Sequence, residues 1–411
     1  MARYDGGMTD AIALDYGASE PLVLEPEPGA DIVDCAGPAG ATGAAAERLV
    51  AQALGEPLHG PPLEAHVVAG DHVVVAIAGR VPQADAVVAA VRSRLEAAGV
   101  AGEDVSVLCG EPLEAGSSTA GEALGSPSNA VVFDPAVDAA TAYLAADEAG
   151  QPLYMARSLV DADVVVAVGN WGWHAGLGGR SLEGELWPTF SRAACRRELS
   201  LTLARRGRHA LPDWRSSVQE SVWQLGVCAS LRLVAGREGS LHAACFALPE
   251  QASRLARDAA AAWCPSLEDP VDLAVVTLSD PRGGFAIVGR AVAAAARITH
   301  PGGTICVACQ VAAGPGIIFE RWRQGTPLQP LVHEAVASRD PVLVVDAFET
   351  RLFARALGER RLVLLSALEE STVEELSFGH AADPDVIDRL VHHAERVAVL
   401  HEADRMFPRI G

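Results

Sequence analysis

Lysine is missing from this sequence altogether: all 32 basic side chains are arginine. Mechanisms that need a lysine amine, such as a Schiff base, pyridoxal attachment or a lysine-tethered cofactor, are therefore excluded. Positive charge is scarce as well, with 53 acidic side chains against those 32 and a formal net charge of −21. Nucleic acid and anionic membrane surfaces both need a basic footprint, so neither is expected as a partner. No run of about eighteen residues is free of charge, which leaves no candidate membrane span and points to a soluble globular chain. The opening residues, MARYDGGMTD, do not place an apolar stretch after a basic one. No export signal is expected on that ground, and the cytoplasm is the expected location.

Metal-binding patterns are also missing. Eight cysteines and twelve histidines are scattered along the chain. Only Cys306 and Cys309 make a C-x-x-C, inside the apolar run Thr304–Val311. Positions three apart on a strand face opposite sides of the sheet, so these two thiols are expected to be buried apart rather than to share a metal. His392 and His393 are adjacent on a predicted helix and point in different directions.

What is present is α/β alternation. A chain of 411 residues accommodates about two or three domains. Gly70-Asp71 opens a βαβ unit: strand His72–Ala78, helix Gln83–Ala98, Gly99, strand Val105–Cys109. Residues 110–128 read as a long loop and strand Ala130–Phe133 follows. The pattern then predicts an Ala-rich helix near 136–147, strand 163–168, and helices Arg192–Arg205 and Trp214–Leu225. Strands Leu231–Ala235 and Leu241–Phe246 precede a helix from Pro249. The stretch PSLEDP (265–270) is the best boundary, and βα alternation restarts after it, with strand Val342–Val345 and helix Thr350–Leu357 among its later elements. The fold class expected is two α/β domains, 1–265 and 270–411, with mostly parallel, doubly wound sheets and a cleft between them. The last strand or the tail could return to the first domain.

The most informative stretch is Val164–Pro188, VVVAVGNWGWHAGLGGRSLEGELWP. An apolar strand opening into a Gly-rich loop is where α/β proteins place ligands, because backbone N–H groups and helix N-termini face anions there. No Lys-Ser/Thr follows the glycines, so the full phosphate-loop pattern is absent and the loop gives little support for nucleotide binding. Ser181 is not framed as G-x-S-x-G, so it is not a nucleophile elbow. The plainer alternative is a tight turn with Trp171 and Trp173 packed on the core.

Several local strings, in order along nearly the whole chain, resemble the lactate racemase (LarA-like) family, whose members racemise or epimerise 2-hydroxy acids with a nickel pincer cofactor. Gly70–Val75 with Arg80-Val81-Pro82 is similar to the family's GD-x-VVIVV…TRP-x-P. LEAAGVAGEDVSV (95–107) resembles its LNAAGV-x-x-ED-I-x-I. Ala175–Arg180 is similar to its AG-F-SGGRK loop, and AARITHPGGT (295–304) resembles AARAVKPGGT. The resemblance implies two α/β domains with the active site between them.

The same resemblance exposes what this chain has replaced. The position of the cofactor-bearing lysine is Ser181. The segment matching the nickel-ligating N-H-S-L string is Glu198-Leu199-Ser200-Leu201, with leucine at the ligand position, and leucine cannot bind a metal. The family's G-T-H-R histidine has no counterpart in residues 105–120, and His174, the remaining catalytic candidate, is out of register. A cofactor-contacting lysine aligns with Arg290, and the D-x-T-R substrate loop keeps only Arg80. No cofactor is therefore expected; the family's nickel pincer, if bound at all, would not be lysine-tethered. Arg80, Gly178, Gly179, Arg180, Ser181 and Arg290 are the candidate binding residues for a small carboxylate or phosphate-bearing metabolite. Plainer alternatives are that Arg180 pairs with Glu183 or Glu185 and that Arg290 is a solvated charge. Trp171 and Trp173 are expected to fill, at least in part, the volume the cofactor would take.

Overall fold

The computed structural model describes residues 2–3, 11–27, 29–112, 130–146, 150 and 152–411. The loop expected over 110–128 lies largely outside them. Two sheets organise the chain. The first runs in the spatial order Leu241–Ala247, Ser230–Ala235, Val164–Asn170, Val73–Ala78, Val105–Cys109, Ala130–Val132. All neighbours are parallel except the antiparallel pair at the Leu241–Ala247 edge. The second runs Ala2–Arg3, Asp31–Cys35, Arg396–Leu400, Val271–Thr277, Thr299–Ala308, Arg361–Leu365, Gly379–His380, and only Ala2–Arg3 is antiparallel.

Both sheets are covered on two sides, as parallel sheets require. Every residue of Val73–Ala78 is buried. Val73, Val75 and Ile77 join one apolar cluster with helix Ala84–Ala97, while Val74, Ala76 and Ala78 join another around Phe190 and Trp214. The period of two explains the division. The same period separates the two cysteines of the C-x-x-C, with Cys306 in one buried cluster and Cys309 in another.

Three expectations need correction. The first concerns the domain limits. Strand Asp31–Cys35 pairs in parallel with Arg396–Leu400, Val33 opposite Ala398, so the N-terminal stretch builds the second sheet. The beginning of the chain crosses, and the tail returns toward residues 1–265 as well: the Phe407 N–H donates to the Trp263 carbonyl and the Arg409 N–H to that of Pro265, while Arg409–Ile410 pairs with Ser266–Leu267 at the boundary. Five residues, DIVDC, were too few to show their partner in a linear reading.

The second concerns residues 136–147, where the structure has a hairpin, Thr141–Ala146 against Pro152–Ala156. Alanine favours helix by only a few tenths of a kcal/mol per residue. Here Tyr143 and Tyr154 meet edge to face at 6.0 Å, and the Arg192 guanidinium lies 3.4 Å from the Tyr154 ring centre. Cross-strand aromatic contact outweighs propensity.

The third concerns Val342–Val345, which belongs to one long helix, Pro341–Leu357. The Asp340 side chain caps it by accepting the Val342 N–H at 2.9 Å, with Pro341 in the first turn. That Asp-Pro start signal decides for helix over the apolar run VLVV. Helix Leu328–Ser338, which packs beside it, was not anticipated at all.

Candidate functional site

In the first sheet the chain leaves Val73–Ala78 toward Val105–Cys109 on one side and later returns at Val164–Asn170 on the other. The strand order reverses between those two strands, and crevices at such points hold ligands in α/β proteins. The loops carrying Arg80 and His174–Glu185 both leave from there, and the turn Ala175–Leu177 in the second of them packs against helix Phe285–Ala295.

The loop is fixed by a backbone crossing. Gly184, at φ +80°, lies over the end of strand Val164–Asn170. A Cβ at Gly169 would stand 2.0 Å from the Gly184 carbonyl oxygen, and one at Gly184 would stand 2.3 Å from that of Asn170. Only glycine fits either position. Beneath the crossing lies a buried charge cluster. Glu185, 1% exposed, takes Arg232 on Oε2 at 2.5 Å and Arg180 on Oε1. Arg232, 5% exposed, also donates to the Gly184 carbonyl. Arg180 therefore pairs with Glu185, the plainer of its two roles, and its guanidinium lies 5.8 Å from the Trp171 ring centre. The sequence reading missed Arg232, although a charge inside the apolar run SLRLVA was the available signal.

A second cluster lies between the loop and helix Phe285–Ala295. Arg290 Nη2 donates to Glu183 Oε1 at 2.5 Å, joining that helix to the loop. Glu183 is half exposed, and the charges of Arg290, His174 and Arg80 all bear on it. Burial works to raise the Glu183 carboxyl, but Arg290, through charge and hydrogen bond, leads the cations in holding it below the usual range. On the neighbouring helix Pro341–Leu357, burial pushes the Glu349 carboxyl up. Arg80 is largely exposed and lies 3.6 Å from Glu111. Ser181 is buried, and its Oγ accepts the Glu183 N–H at 3.2 Å. Gly178 takes the left-handed conformation (φ +78°) at the turn, and Gly179 pairs with His174 in a short antiparallel ladder. The candidate residues thus divide in two: Arg180 belongs to the buried clamp, whereas the charges of Arg290, His174 and Arg80 bear on Glu183.

His174 is buried, and its Nδ1 accepts the Leu177 N–H at 3.3 Å, which leaves the proton on Nε2. Burial first, then the Arg290 charge, lowers its pKa from 6.5 to about 4. A neutral ring with an engaged Nδ1 offers an N–H donor and no free lone pair. The sign of the linkage follows: below 6.5 the unfolded histidine takes a proton that the folded one refuses until about pH 4. Stability contributed by the neutral ring is therefore lost as pH falls through that window, by about 3 kcal/mol in all. Comparing urea unfolding of the wild-type chain and His174→Asn at pH 7 and pH 4.5 checks this. The wild-type chain should lose more stability than the variant by roughly that amount, and parallel losses would refute it.

Both tryptophans turn into the apolar cluster that holds Val276 of the second sheet and Val288 of helix Phe285–Ala295. Trp171 is 3% exposed and meets Trp173 edge to face at 4.9 Å. Trp173 stacks on Phe407 at 5.0 Å and donates its Nε1–H to the Ala260 carbonyl at 2.7 Å. Leu199, at the position the resemblance gives to a metal ligand, packs in apolar clusters on helix Ala193–Arg206. Among the described residues no three His, Cys, Asp or Glu side chains gather so as to hold a metal ion. No helix there is long and apolar enough to cross a membrane.

Residues 21–180 match the family described as the lactate racemase N-terminal domain. Among solved structures, the chain is similar to the lactate racemase apoprotein of Thermoanaerobacterium thermosaccharolyticum. That match has 17% identity and a TM-score of 0.71, over 97% of this chain and 100% of the other. A Thermotoga maritima protein is similar at 13% identity and a TM-score of 0.63, over 89% and 98%. No curated protein matches the chain. Residues 21–180 thus match the lactate racemase N-terminal domain, and along nearly its whole length the chain shares the fold of the lactate racemase apoprotein.

Proposed function

We propose that this chain is a lactate racemase relative that binds a small carboxylate, such as a 2-hydroxy acid, in the interdomain cleft without the family's lysine-tethered nickel cofactor. The observation that carries the reading is the substitution of the attachment point. Ser181 offers no amine, and its Oγ is already engaged by the Glu183 N–H; no lysine exists anywhere to replace it. Leu199 offers no donor to a metal, and the two indoles occupy space beside the loop. The residues present do not fit a tethered pincer, so no step of a reaction is derived through it.

The cleft keeps groups that recognise an anion. Arg290 supplies a guanidinium, whose paired N–H groups match a carboxylate. His174 supplies a neutral N–H donor, and Arg80 adds positive charge at the mouth. Racemisation at a 2-hydroxy carbon needs a base on each face; here the one histidine of the cleft presents a proton instead. The test is binding against turnover. Millimolar oxalate or L-lactate should raise the melting temperature of the wild-type chain, by RT ln(1 + [L]/Kd) in free energy, and Arg290→Ala should remove most of that rise. Incubated in D2O, L-lactate should gain no deuterium at its α-carbon above the protein-free control. Exchange that depends on the protein would overturn the non-catalytic reading and restore racemase chemistry.

A further inference from the structure

The contact between Glu183 and Arg290 is one-sided. Glu183 Oε1 takes a hydrogen bond from Arg290 Nη2 at 2.5 Å, while Arg290 Nε is buried with no hydrogen-bond partner. A carboxylate free to choose its position meets a guanidinium through two parallel N–H groups. Glu183, tied to the backbone between Ser181 and Gly184, reaches only one. An unspent buried donor of this kind costs free energy, and it marks where the second oxygen of an untethered carboxylate would go.

From this we infer that Glu183 is an internal ligand of the cleft: its side chain occupies the anion position in front of Arg290, and a small carboxylate binds by displacing it onto both Nη2 and Nε. The inference rests on the carboxylate-binding reading above and identifies the residue that sets affinity and selectivity at that site.

Three further observations agree. Glu183 is 55% exposed while Arg290 is 28% exposed, so the carboxylate has water to move into and the guanidinium remains as the fixed partner. Gly178 and Gly184, both in the left-handed conformation, flank the segment. The other acidic groups whose charge bears on Arg290, Glu349 and Asp404, are not among its hydrogen-bonded partners, so Glu183 alone holds the position to be vacated. Displacement also sets selectivity. A monoanion bound by a single oxygen gains nothing over Glu183, whereas a compact ligand presenting a planar carboxylate gains the second hydrogen bond.

The test is calorimetric titration of the full chain with sodium oxalate and with sodium L-lactate. Glu183→Gln keeps the side-chain shape and removes the competing charge, and should tighten oxalate binding tenfold or more. Adding Arg290→Gln to that variant should abolish the gain. Equal affinity in wild type and Glu183→Gln would overturn the internal-ligand inference and leave the carboxylate site standing. A gain that survives in the double variant would show only a general charge effect, and would likewise overturn it. No binding of either probe to Glu183→Gln would overturn both the inference and the reading it rests on.

Discussion

Replacing Glu185 by glutamine should lower the unfolding free energy by about 3–5 kcal/mol, the cost of removing one partner from a buried ion pair. The carboxylate is 1% exposed and serves two guanidiniums, Arg180 and Arg232. Without its charge, two cations face one another, Arg232 buried and Arg180 only partly exposed. Nε of both arginines is already without a hydrogen-bond partner, so nothing nearby takes up the loss. Urea unfolding at pH 7 measures the effect, and a loss below about 1 kcal/mol would place the cluster in the solvent-exposed class of ion pairs. A triple replacement, Arg180→Met, Glu185→Met and Arg232→Met, should recover much of the loss, because a buried ion cluster exchanged for apolar groups is often neutral or stabilising. Recovery would show that the cluster positions the loop and adds little net stability.

Gly169→Ala is expected to cost about 3 kcal/mol or more, at or above the upper end for overpacking. The added carbon would stand 2.0 Å from the Gly184 carbonyl oxygen and 2.8 Å from Arg232 Nη1. The first of these is backbone, which cannot swing away as a side-chain end does. Relief requires the 183–185 segment to lift off the strand, so the damage reaches the cleft as well. The variant should lose stability in urea and bind oxalate more weakly than wild type. A stable variant with unchanged binding would mean that the crossing is looser than these distances imply.

Much of the architecture was legible because it rests on periodicity. The runs at 73–78, 105–109 and 361–365 carry their strand character in consecutive apolar residues, and the helices between them follow from a stripe of buried positions. What escaped depends on partners remote in sequence. DIVDC became a strand near one edge of the second sheet only through pairing with residues 396–400, and the alanines of 141–146 became a strand through two tyrosines. At the site, glycines and arginines stood out one by one, but the sequence does not say which carboxylate each arginine meets. Arg180 and Arg290 look alike in the chain. One is locked to Glu185 and the other faces Glu183 across the domain boundary. Arg232 was legible as an anomaly, a charge in a buried strand, and its meaning lay in Glu185.

The parallel pairing of Asp31–Cys35 with Arg396–Leu400 has a bearing on how the chain is made. Asp31 and Arg396, joined by a 2.6 Å hydrogen bond, are 365 residues apart. At ribosomal rates of about 5–20 residues per second the first strand waits roughly 20–70 s for its partner. During that time its edge is open to other chains, the condition under which nascent sheets associate wrongly. Cutting at the 265–270 linker would therefore not yield two self-sufficient pieces: the first would carry an orphan strand and the second a sheet with a missing side. The second sheet is therefore completed on the side of Asp31–Cys35 only once residues 396–400 have been made.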